Sequence, residues 1–94
     1  VQRRSLEKRI GEVHKRLMKA REELAVAEEQ LQVLAEAAEE ARTKALVADA
    51  ALADQQWREA RRHAEAMARA REVSSRRVTD LEREQDELLA RLAV

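Results

Sequence analysis

From Leu6 to Ala45, apolar residues fall at alternating steps of four and three. The series is Leu6, Ile10, Val13, Leu17, Ala20, Leu24, Ala27, Leu31, Leu34, Ala38, Ala41 and Ala45, with no polar member. An average repeat of about 3.5 residues keeps one narrow stripe of a helix against a second helix. The chain is 40% charged and 1% aromatic, a composition that also suits disorder. A disordered chain has no reason to hold such a phase, so the stripe predicts a helix over residues 3–47.

The second half carries the same alternation in a new phase: Trp57, Ala60, Ala64, Met67, Arg71, Ser74, Val78, Leu81, Gln85, Leu88 and Leu92. Continuing the first stripe would instead land on Leu52, Gln55, Glu59, Arg62, Ala66, Arg69, Val73, Arg76 and Asp80, most of them polar. A turn over residues 47–54 explains the shift, with a second helix over 54–93. The sequence has one Gly and no Pro, and neither marks the turn. Asp49 and Asp54 are the candidate N-caps, since a short carboxylate can accept the free N–H groups of a starting helix.

Charge selects the pairing. The 94 residues sum to a net charge of zero, but unevenly. Residues 1–21 carry +6, 22–41 carry −7, 55–79 carry +4 and 80–94 carry −3. Folding back near residue 50 sets 1–21 beside 80–94 and 22–41 beside 55–79, so both contacts attract. A parallel pairing of first helices would set like against like along the whole length. The expected fold is all-α: residues 1–94 form a single antiparallel two-helix coiled-coil hairpin, with arms of about 60 Å. Two helices offer only a seam as core, so self-association, most simply a homodimer, is expected to complete the burial.

Several function classes fall away. The chain has no Cys, hence no thiolate metal site or cysteine nucleophile. Its two histidines, His14 and His63, lie in different helices and form no metal-ligand spacing. Glutamate pairs abound, but general acid–base catalysis needs a sheltered pocket that two helices do not provide. No enzyme activity, cofactor or metal is expected. Net neutrality, and basic blocks already set against acidic ones, argue against nucleic acid as a partner. The narrow stripe runs unchanged through an acidic block, which argues against a membrane surface, and no apolar run is long enough to span one. The Arg- and Ala-rich composition and the lack of an export leader point to a cytoplasmic bacterial protein.

Two surfaces remain for a protein partner. Val26 and Val33 lie off the seam of the first helix, with Ala37, and Val73 lies off the seam of the second, with Ala66 and Ala70. The turn gathers Leu46, Asp49, Leu52, Asp54 and Trp57, the last being the sole aromatic residue. Trp57 can plug the end of the seam over Ala41 and Ala45, or serve as a recognition knob. A hairpin whose tip carries Asp49 and Asp54 resembles the rods that transcription factors of the Gre type insert into the RNA polymerase secondary channel. The sequence thus predicts a non-enzymatic interaction or oligomerisation module. The alternative is a transcription regulator of the polymerase-binding or anti-sigma hairpin type, acting through its tip or a charged face.

Overall fold

The computed structural model describes residues 2–94 as two helices, α1 (Gln2–Ala48) and α2 (Ala51–Ala93). Their lengths are 47 and 43 residues, so the link is only Asp49 and Ala50. The turn is shorter than the 47–54 segment expected from the change of phase. Ala48, Ala50, Ala51 and Ala53 fill half of this stretch and, with Leu52, favour helix up to the last residue the geometry allows.

The brevity of the link changes the capping. Asp49 has a φ of 46°, the left-handed conformation typical of a residue just past a helix C-terminus. It therefore cannot take the extended backbone of an N-cap. The Asp54 N–H donates to the carbonyl of Ala50 at 3.2 Å, the first bond of α2. Ala50 thus holds the N-cap position, and neither Asp49 nor Asp54 does. Asp54 instead sits in the first turn of α2, where its negative charge faces the positive end of the helix dipole.

Both periodic series are recovered as burial. Every residue of the Leu6–Ala45 series is buried or half-buried, as is every residue of the Trp57–Leu92 series. That includes the polar members Arg71, Ser74 and Gln85, all half-buried. The described residues divide into two compact units. A terminal unit joins residues 2–25 to 73–94, and a turn unit comprises residues 26–72.

The terminal unit holds the better core. Val13, Leu17, Ala20, Val78, Leu81 and Leu88 are buried together, and Leu6, Ile10 and Leu24 pack against them. Each buried Leu or Val contributes about 1.5–3 kcal/mol of apolar transfer. At the margin, Arg21 Nη2 donates to Glu82 Oε2 at 3.2 Å, and His14 Nδ1 lies 3.4 Å from Gln85 Nε2. The first contact joins the basic block 1–21 to the acidic block 80–94, and the two together, 21 with 82 and 14 with 85, show the segments running in opposite directions.

The turn unit pairs the remaining charge blocks. Arg71 Nη2 reaches Glu28 Oε2 at 3.5 Å, joining the basic block 55–79 to the acidic block 22–41. Its core is thinner. Only Ala45 is buried, at 9% exposure, while Leu31, Leu34, Trp57 and Met67 are half-buried. The cause lies in the sequence: Ala27, Ala38, Ala41, Ala45, Ala60 and Ala64 occupy seam positions of the turn unit, whereas most seam positions of the terminal unit hold Leu, Ile or Val. An Ala stripe lets two backbones approach but supplies little side chain to cover the larger neighbours.

Candidate docking surface

Two groups of exposed apolar side chains lie within the turn unit, each produced by a different local cause. The first surrounds the link. Leu46, Val47 and Leu52 are 75%, 82% and 64% exposed. Two helices joined by two residues leave no loop that could fold over these side chains. Asp49 and Asp54 are exposed beside them. Trp57 is half-buried, and the Arg61 guanidinium lies 5.5 Å from the centroid of its ring. Trp57 and Arg61 are four apart on α2, so they are neighbours on one helix face. The seam position, the half-burial and the cation over its face give Trp57 a packing partner within its own helix.

The second group is a strip on α1. Val26 is half exposed, Val33 is 65% exposed and Ala37 is exposed. Spacings of seven and four put the three on one helix face. Val33 does not stand alone. It lines an open groove with Leu34 and Met67, bordered by Glu29 and Gln30. The strip is therefore continuous with the incompletely buried seam. On α2, Ala66 and Ala70 are exposed four residues apart and flank the same Met67 in sequence. Ion pairing lies elsewhere on these helices: Glu28, Arg61 and Arg71 are well round the helix from Val33, Ala66 and Ala70.

The structure gathers Leu46, Asp49, Leu52, Asp54 and Trp57 around one link, and sets Val26 and Val33 on one face of α1. Val73, 69% exposed, belongs to the terminal unit. There it lies beside Arg16, Arg77, Asp80 and Leu81. Sequence reasoning did not place Arg61 over Trp57, although the four-residue spacing was its signal. It also assigned Leu34 and Met67 wholly to the seam. Their exposed edges become visible only once the small size of the facing alanines is weighed.

Among the described residues no group of three His, Cys, Asp or Glu side chains could hold a metal ion. No described helix is long and apolar enough to cross a membrane. No family model matches the chain, and no curated protein or solved structure is detectably similar to it.

Proposed function

We propose that the chain is a non-enzymatic antiparallel coiled-coil module that works by docking protein helices against the outer face of its turn unit. The observation that carries this reading is the pairing of a half-buried seam with a neighbouring apolar strip. Leu34 and Met67 reach solvent through a groove whose wall is the exposed Val33. Burying that wall would remove the apolar edge from water and complete the packing of both residues.

The reading is tested with a benzophenone side chain placed at residue 33 of the full chain and irradiated in cells. Position 33 should give a discrete protein adduct, whether to another copy or to a different protein. The same probe at Ala35, exposed on the opposite side of α1, should give none. Equal labelling from both positions, or none from either, would overturn the reading.

A second reading rests on the exposed Leu46, Val47 and Leu52 around Asp49 and Asp54. Such a tip suits a transcription regulator that engages RNA polymerase through the link. Immobilised chain should then retain purified polymerase, and Asp49→Ala with Asp54→Ala should abolish retention. Failure of the intact chain to retain polymerase would sink this reading and leave the first untouched.

A further inference from the structure

Resting on the docking reading above, we infer that the occupant of the Val33 face is a second copy of the chain, held so that α1 of one copy lies against α2 of the other with the two links side by side. The apolar complementarity is internal to the turn unit. Val33 protrudes from α1, and Ala66 and Ala70 form a small-residue site on α2. Met67 borders Val33 in the groove, so Val33 lies level with the stretch of α2 that carries both alanines. A two-fold axis along the helices sets Val33 of each copy opposite Ala66 and Ala70 of the other at that same level. A protruding Val then enters a hole between two Ala side chains, as in knobs-into-holes packing.

Charge chooses between the two symmetric ways of bringing such faces together. With the axis along the helices, α1 meets α2 of the other copy. With the axis across them, α1 meets α1 and α2 meets α2. Residues 26–41 of α1 carry Glu28, Glu29, Glu36, Glu39 and Glu40 and no base. Residues 60–71 of α2 carry Arg61, Arg62, Arg69 and Arg71 against Glu65 alone. The crosswise arrangement sets acid on acid and base on base. The lengthwise one sets acid on base at both contacts.

The rim residues sharpen this. Glu29 and Glu36 are seven apart beside the Val33 strip, and Arg62 and Arg69 are seven apart beside Ala66 and Ala70. All four are exposed, and Glu29, Arg62 and Arg69 make no ion pair among the described residues. In the lengthwise arrangement Glu29 comes within about one helical turn of Arg69 in the other copy, and Glu36 within the same reach of Arg62. Neighbouring helices then all run in opposite directions, which also suits their dipoles.

The chain contains no cysteine, so engineered thiols report cleanly. Full-length Val33→Cys chains are mixed with Ala66→Cys or Ala70→Cys chains of distinguishable mass and oxidised. The expected result is a covalent dimer holding one chain of each kind, because a disulfide needs Cα atoms within about 7 Å. Val33→Cys alone, or mixed with Ala37→Cys, should stay uncrosslinked. Crosslinking of those α1 pairs would overturn the lengthwise arrangement while self-association stood. A chain that sediments as a monomer at every concentration would overturn the second copy as occupant. An adduct from position 33 to a different protein would then still support the docking reading. As an independent readout, Glu36→Arg should weaken association roughly tenfold. Adding Arg62→Glu should restore it, and a double variant no tighter than Glu36→Arg would count against the inference.

Discussion

Asp49 carries the one left-handed backbone in the described chain outside glycine. An L-residue in that region costs about 1–2 kcal/mol relative to its preferred conformations, less for Asp than for most, and Gly adopts it without a Cβ clash. Asp49→Gly should therefore raise stability by about 0.5–1 kcal/mol and Asp49→Val should lower it, both read as shifts in the urea midpoint. Gly11 presents the opposite case. It lies inside α1, and a Cβ added there would meet nothing within 4 Å. Gly11→Ala should stabilise the chain by about 1 kcal/mol in the same assay, and no gain would mean that the first turns of α1 are not helical in solution. The ion pair of Arg71 with Glu28 is a weaker feature, since both side chains are 40% or more exposed. A double-mutant cycle on the pair should return less than about 1 kcal/mol, falling further in high salt. The two Asp residues near the turn were legible as capping candidates, but not in the places they take. Which residue follows the end of α1 and which caps α2, Asp49 and Ala50 in the structure, depends on a link length that phase alone does not fix.

At the scale of the helices, the two apolar series were legible because burial in a two-helix pairing repeats with the same spacing, although Ala53, Ser75 and Glu84 are also half-buried outside them. Leu6 through Ala45 and Trp57 through Leu92 hold their place even where Arg71, Ser74 or Gln85 interrupts the pattern. The division into two units was not legible. An apolar pattern counts Ala and Leu alike, whereas burial depends on how much side chain each supplies. Leu17, 1% exposed, lies in the core of the terminal unit, while Leu34 in the turn unit stays half-buried. Leu17→Ala should cost about 3 kcal/mol, near the middle of the range for a well-packed Leu. Leu34→Ala should cost about 1 kcal/mol in a chain kept monomeric by dilution, because less of its surface leaves water. Hydrogen exchange offers the same comparison without mutation. Amides of residues 13–20 and 78–88 should exchange slowest, and those flanking the link fastest. Uniform protection along both helices would show that the alanine stripe is as well covered as the leucine core.

For the molecule as a whole, the balance of charge bears on association. With equal numbers of acidic and basic residues and an isoelectric point near 6.9, the chain has little net repulsion to keep copies apart at neutral pH. If folding of the turn unit is completed by a second copy, folding and association are linked, and the thermal midpoint must rise with protein concentration. Each tenfold increase adds about 1.4 kcal/mol to the stability of a dimer. For a dimer of this size that corresponds to roughly 3–6 °C in the midpoint. A lone hairpin would melt at the same temperature at every concentration. Val33→Lys separates the two cases within one experiment, because it places a charge on the proposed contact while leaving the buried residues of the terminal unit alone. The variant should lose the concentration dependence yet keep its helical signal at low temperature. A midpoint that climbs equally in the variant and the parent would locate self-association elsewhere, with the exposed Leu46, Val47 and Leu52 as the next surface to charge.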